Sequence, residues 1–380
     1  MSVATAREVV RRRRADYLKA ETRAEQARIL DELVGLTGYH RKSLVRLLSG
    51  PDAAKPPSRP PGRTSTYALA LPLLRKLWAA SFFACGKRLE TFLPDLMGLL
   101  VAAGEIKVTP FEEKLLRSVS SATIDRLPAA DRSPKLRGLS TTKAGALLRS
   151  QIPIRTFADW TEQEAGFLEV DLVAHCGDTT RGEYLSALTM TDVMTGWTVL
   201  VPMKGKGQQG TVAALEMARK QFPFPVKGID CDNGSEFINA HLVKYCAARQ
   251  IIFTRSRPYK KNDQCHVEER NGSVVRQFVG YQRLESDEEL ALLRLIEVRV
   301  NRYHNYYWPM MRLLCKERQG SKVRKVYDTP KTPYQRLLAL GDVAADVTKA
   351  RLAQEYADPA QNPAALLRAI TDLLEKLGEK

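Results

Sequence analysis

GFLEVDLVAHCGDTTRGEYLSALTMTDVMTGWTVLVPM, residues 166–203, is the stretch whose reading decides the fold. Three apolar runs in it, 166–175, 183–192 and 196–203, are separated by the polar turns CGDTTRG and VMT, which predicts an antiparallel meander of three strands. Downstream the texture alternates. A helical stretch over Gln208 to Gln221 leads to a strand at 225–232 (PVKGIDCD) and a helix over Glu236 to Ala248. A short strand at 251–256 (IIFTRS) and a long helix from about Asn262 complete the series. Three hairpin-linked strands followed by strict alternation predict a mixed five-stranded α/β sheet with helices on its faces.

That order is the order of a ribonuclease H-like domain, and three carboxylates fall at telling places on it. Asp171 sits mid-strand among Val170, Leu172 and Val173, where an isolated buried carboxylate is costly and calls for a cation or a polar site. Asp232 ends the fourth strand, directly before the Asn233-Gly234 turn. Glu268 lies near the start of the last helix, with 35 residues between it and Asp232, enough for a helix, a strand and a return to the same sheet end. Each acid has a neighbour that competes for the role: Glu169, Asp230 and Glu269. Carboxylates without a matching set of cysteine or histidine ligands favour hard, oxygen-loving ions, Mg²⁺ or Mn²⁺, over zinc. His175, Cys176, Cys265 and His266 lie near the acids in sequence and stand as supporting groups.

The partner is indicated by charge. With 59 Lys and Arg against 43 Asp and Glu, the formal net charge is +16 over 380 residues, an excess that attracts polyanions in a salt-dependent way. No apolar run is long enough to span a membrane, and the arginine-rich first twenty residues lack a signal core, so a cytoplasmic location is expected. The six cysteines are scattered singly, as expected of reduced thiols.

Residues 22–49 read as two helices around a Thr37-Gly38 turn, the first opened by a Thr22/Glu25 capping box. The second carries His40, Arg41, Lys42, Ser43 and Arg46 between its apolar positions. This is a helix-turn-helix pattern, shared by plain helical hairpins, and the Arg11–Arg14 cluster adds weight to DNA binding. The organisation expected is a helix-turn-helix domain over 1–50, a linker over 51–66 with five prolines, and a second helical domain over 67–127, either DNA-binding or purely structural. A basic linker over 128–160, the catalytic core over 161–285 and a basic, helical C-terminal region over 286–380 follow. In that last region the basic residues of 316–338 are expected at loop-like positions, and the stripe Leu366, Leu367, Ile370, Leu373 and Leu374 is either core or a partner surface.

The motifs GFLEVDLVAHCG, DCDNGSEF, FTRSRPYKKNDQCHVEERN, VGYQR and KVYDTPKTPYQRLL resemble those of bacterial insertion-sequence transposases of the retroviral-integrase-like superfamily, with an integrase catalytic core and a D, D, 35, E triad. The resemblance implies that Asp171, Asp232 and Glu268 bind two Mg²⁺ or Mn²⁺ ions, with Glu268 preferred over a solvated Glu269. It implies cleavage at the 3′ ends of the element's terminal inverted repeats and strand transfer into target DNA by a homo-oligomer on double-stranded DNA. Arg41, Lys42 and Arg46, then Arg255, Arg257, Lys260 and Lys261, are expected on DNA, with Tyr259 stacking on a terminal base or simply packing. Many relatives carry a basic residue seven positions beyond the glutamate; here that position is Val275, and Arg276 is the substitute expected. The rival readings are a catalytically silent DNA-binding regulator and a ribonuclease H-like nuclease without strand transfer.

Overall fold

The computed structural model describes residues 3–50, 66–126, 152–155, 164–257, 264–319, 322–341 and 346–378. The chain divides into two compact units, residues 1–66 and 67–380.

The first unit is three helices: α1 (Val3–Lys19), α2 (Arg23–Thr37) and α3 (Arg41–Ser49). The Thr22/Glu25 capping box forms as expected, and Gly38, at φ 69°, supplies the left-handed turn that ends α2. His40, expected among the DNA-facing side chains, caps α3 by accepting the Lys42 amide. The Arg11–Arg14 run lies inside α1, whose Val10 and Tyr17 pack with Leu30, Leu33, Leu44 and Leu48. Arg14 reaches the carbonyls of Leu48 and Gly50, tying the ends of the unit together.

The second unit opens with α4 (Leu71–Ala80), α5 (Gly86–Ala102), α6 (Pro110–Arg117) and α7 (Ser121–Arg126). A five-stranded sheet follows: β1 (Phe167–Ala174), β2 (Leu185–Asp192), β3 (Thr198–Lys204), β4 (Gly228–Cys231) and β5 (Ile252–Arg255), in spatial order 3-2-1-4-5. β1, β2 and β3 are antiparallel, and β4 and β5 run parallel to β1. This is the ribonuclease H-like arrangement, reached because the connections 175–184 and 193–197 join the first three strands without a helix while α8 (Gln208–Arg219) and α9 (Ala240–Ala248) make the longer crossovers. α10 (Cys265–Arg270), a π-helical turn (Asn271–Val275) and α11 (Arg276–Phe278) stand where one long helix was expected. Residues 258–263, including Tyr259, Lys260, Lys261 and the expected helix start at Asn262, lie outside the described residues, as does most of both expected linkers.

α12 (Asp287–Tyr307) covers the exposed edge of the sheet by an unusual device. Asn301 and Asn305, one helical turn apart, use their side-chain amides to donate to and accept from the backbones of Leu200 and Thr198 in the edge strand β3. Two residues along a strand and four along a helix advance by similar distances, so the two amides act as the next strand would. An edge that would otherwise present open backbone groups is closed.

The chain ends with β6 (Leu313–Gln319), β7 (Lys322–Tyr327), α13 (Pro333–Ala339), α14 (Asp346–Ala357) and α15 (Pro363–Gly378). The segment expected as loop-like is thus corrected to a two-stranded ribbon. Leu366 and Ile370 are buried, and Leu367, Leu373 and Leu374 pack against the same core, so the C-terminal stripe is core. That core also holds Leu74 and Leu77 of α4, and the Tyr303 hydroxyl donates to the Ala80 carbonyl at 2.9 Å. The helices of 67–126 therefore share one hydrophobic interior with the sheet and the tail rather than closing a core of their own.

Candidate active site

β1 is central and covered on both faces, so most of its residues are apolar and wholly buried. Glu169 and Asp171, two residues apart, share one face of it. The parallel register sets Glu169 beside Asp230, and Asp232 follows one residue past the end of β4. Two layers of acid result.

The inner layer holds the architecture together. Glu169 is fully buried, and one carboxylate oxygen accepts the backbone N–H groups of His266 and Val267 at 2.8 and 2.9 Å. These are amides of the first turn of α10, which lacks a side-chain cap of its own, so Glu169 satisfies donors that the helix leaves open and lies at the positive end of its dipole. Burial, opposed by those two hydrogen bonds, pushes the Glu169 carboxyl up to about 8. Asp230, also buried, accepts the Thr254 hydroxyl at 2.6 Å and the Gln264 amide at 3.4 Å. Two of the three neighbouring acids therefore have their partners within the fold.

The outer layer faces the end of the sheet. Asp171 is half-buried and accepts the Asn271 side-chain amide at 2.6 Å and the Leu172 N–H at 2.8 Å. Burial first, then the negative charge of Asp232 and that of Glu236, lift its carboxyl to about 7. Asp232 accepts the Gly234 N–H at 2.8 Å. A Cβ on Gly234 would lie 2.9 Å from that Asp232 oxygen and 2.7 Å from the Glu236 carboxyl carbon, so any larger residue would make both carboxylates shift from where they flank the turn. Asn233 braces the turn from the other side, donating to the Ser256 carbonyl and accepting from Arg255.

Glu268 is exposed on α10, and Asn271, three residues later on the same side of the helix, is the residue that touches Asp171. Glu269 is exposed, as expected of a solvated neighbour, and also pairs with Arg270 at 3.1 Å and with Arg88 of α5 at 3.7 Å. Burial pushes the Cys265 thiol up to about 12 and the His266 imidazole down to about 4, so both are neutral near pH 7. His175 is likewise buried and neutral, its pKa lowered to about 3 by burial and by Arg276.

Among the described residues no group of three or more His, Cys, Asp or Glu side chains is gathered closely enough to enclose a metal ion. The outer layer nonetheless fits a hard divalent cation: its acid donors are oxygens only, and the burial and mutual repulsion that lift Asp171 both disfavour a negative charge that such a cation would offset.

Two of the residues expected on DNA make contacts within the fold. Arg255 is buried, its guanidinium donating to Ile152 and Asn233 at 3.1 Å each. Arg276 is turned inward onto the carbonyls of Ala174 at 2.7 Å and Gly280 at 3.1 Å, beneath Tyr281. Both guanidinium groups brace the site because buried carbonyls around them need donors. Arg257 is exposed just after β5, and Arg41, Lys42 and Arg46 are exposed on α3, Arg41 against Asp31.

Asn271, Glu236 and the anchoring role of Glu169 were not singled out by sequence. A helix-spacing rule would have pointed to Asn271, three positions after Glu268. Nothing local distinguishes Glu169 from Asp171.

Residues 161–261 match the model of the family described as integrase core domain. The chain is 40% identical over 345 residues to "Uncharacterized protein y4rM" of Sinorhizobium fredii (strain NBRC 101917 / NGR234), covering 88% of this chain and 96% of that protein. Among solved structures it is similar to the simian T-cell lymphotropic virus intasome in complex with PP2A regulatory subunit B56 gamma, at 16% identity and a TM-score of 0.32 over 59% of this chain and 68% of that one. It is also similar to the HTLV-2 integrase catalytic core domain in complex with magnesium, at 14% identity and a TM-score of 0.31 over 46% of this chain and 97% of that one.

Proposed function

The chain belongs to the integrase-like superfamily, and on that premise we propose that it is a DNA transposase. In this reading it binds the terminal inverted repeats of its element as a homo-oligomer, cleaves the 3′ ends and joins them to target DNA, working at the nucleoid of a bacterial cytoplasm. Among the described residues no helix is long and apolar enough to cross a membrane. The observation that carries the reading is the pair Asp171, midway along β1, and Asp232, one residue past the end of β4, close enough for the charge of one to raise the pKa of the other.

Asp171, Asp232 and, from α10, Glu268 would hold two Mg²⁺ or Mn²⁺ ions, which supply the positive charge that activates an attacking water or 3′-hydroxyl and stabilises the leaving oxygen. The chain's own residues do the positioning. Asn271 fixes the Asp171 carboxylate, the Gly234 amide fixes Asp232, and Glu169 holds the helix that bears Glu268 and Asn271 against the strand. The exposed cations of α3 and Arg257 supply phosphate contacts.

The test is Asp232→Asn. Cleavage and strand joining in Mg²⁺ should be lost while binding to end DNA stays nearly intact, and joining retained by this variant would reject the site. A wild-type protein that binds ends but neither cuts nor joins them would favour the silent regulator. One that cuts but cannot join a pre-cut 3′-hydroxyl end to supercoiled target would favour the nuclease.

A further inference from the structure

The ribbon of β6 and β7 places its charges unevenly. Lys316 stands directly opposite Lys325, Arg318 opposite Val323, and Glu317 opposite Arg324. Opposed residues share a face and successive pairs alternate between faces. One face therefore carries Lys316, Arg318 and Lys325 around Val323 with no acid among them, all exposed. The other carries the cross-strand ion pair of Arg324 and Glu317, at 3.8 Å.

Such an arrangement is unfavourable for the ribbon alone. A two-stranded hairpin is marginal in water, and like charges directly opposed weaken it further. Its base, by contrast, is firmly tied. The Asp328 carboxylate accepts the Arg312 N–H at 2.6 Å and the Arg336 guanidinium at 2.6 and 3.2 Å, and Arg336 also donates to the Met310 carbonyl at 2.8 Å. Met310 and Lys331 close the neck by a backbone bridge. The ribbon is thus an arm on a fixed base, with an acid-free cationic face suited to a polyanion.

We propose that this face docks in the major groove of duplex DNA, with Lys316, Arg318 and Lys325 on phosphates and Val323 toward the groove floor. A two-stranded ribbon has the width that the major groove of B-form DNA admits. The charge balance of +16 favours DNA over an acidic protein as occupant. The choice of partner rests on the transposase reading, but the ribbon adds a DNA-binding surface separate from the acidic site and from α3.

Binding of the full-length protein to a short duplex of mixed sequence is measured across a range of salt. The triple variant Lys316→Ser, Arg318→Ser, Lys325→Ser should reduce the slope of log affinity against log salt by about 2.7, about 0.9 for each phosphate no longer neutralised. The opposite-face variant Glu317→Ser, Arg324→Ser should leave the slope unchanged, which controls for damage to the hairpin. An unchanged slope in the triple variant, or an equal loss in the opposite-face variant, overturns the proposal. So does an equal loss on an A-form RNA duplex, whose deep, narrow major groove excludes side chains. If the wild type joins ends while the triple variant keeps its slope, the ribbon proposal alone fails. If the wild type binds no duplex, the transposase reading fails with it.

Discussion

Replacing Glu169 by leucine removes the acceptor on which the first turn of α10 rests. The two N–H groups it accepts, from His266 and Val267, are held at 2.8 and 2.9 Å, and Glu169 and Val267 are fully buried. A buried donor left without a partner costs about 1–3 kcal/mol, which puts the pair at about 2–6 kcal/mol. Burying the acid is itself unfavourable, as its elevated pKa shows, and leucine escapes that penalty. The lower end is therefore expected, about 2–3 kcal/mol. Glu169→Gln keeps a carbonyl oxygen for the same two amides and should cost less than about 1 kcal/mol. Denaturant unfolding of the full chain measures the global loss, and amide hydrogen exchange measures the local one. If the loss is local to α10, its first-turn amides should exchange about 30-fold faster at 2 kcal/mol. Strand joining should fall in the leucine variant and largely recover in the glutamine variant, because Glu268 and Asn271 are carried on the loosened helix. Unchanged exchange and stability in Glu169→Leu would refute the claim that this acid anchors the helix.

Two further outcomes test the rest of the framework. Asn301→Ala should destabilise the core by about 2–3 kcal/mol in thermal or denaturant unfolding, since it strips both partners from the Leu200 backbone at the buried sheet edge; a loss below about 0.5 kcal/mol would mean the helix covers that edge without its amides. Glu216 accepts from Arg219, Tyr245 and Arg249, which together hold its carboxyl down at about 2. A folded pKa below the unfolded one stabilises above about pH 4.5 and loses that effect as pH falls toward about 2, so Glu216→Gln should cost about 1 kcal/mol at neutral pH, discounted for partial exposure, and converge on wild type in acid. A difference in unfolding free energy that stays constant with pH would contradict the assignment.

How much of this was legible in advance varies with the range of the interactions. The order of strands and helices could be read because each element announces itself locally: apolar runs of strand length, turns between them, and helical spacing after them. The Thr22/Glu25 box and the Gly38 turn were readable for the same reason. The ribbon was not. Its strands carry runs of adjacent charged residues, Lys316-Glu317-Arg318 and Arg324-Lys325, without the apolar alternation that makes a strand recognisable, and only their pairing reveals it. Arg255 and Arg276 looked like surface cations and are turned inward, because the carbonyls that receive them come from Ile152 and Ala174, far away along the chain.

By itself the sequence determined the ribonuclease H-like order of elements, the basic character, and the acids Asp171, Asp232 and Glu268 as the candidates for the site. Tertiary structure alone gave those acids and their neighbours different surroundings. Glu169 and Asp171 have the same chemistry and the same face of one strand, and what divides them is depth: α10 closes over the first with its amides, while the second meets Asn271 and the charge of Asp232 at the sheet end. Glu269 is likewise divided from Glu268 by Arg88, which the folding of α5 brings to it. A carboxylate's role follows from its solvation and its partners, and both are set by chain segments that meet only when the protein folds.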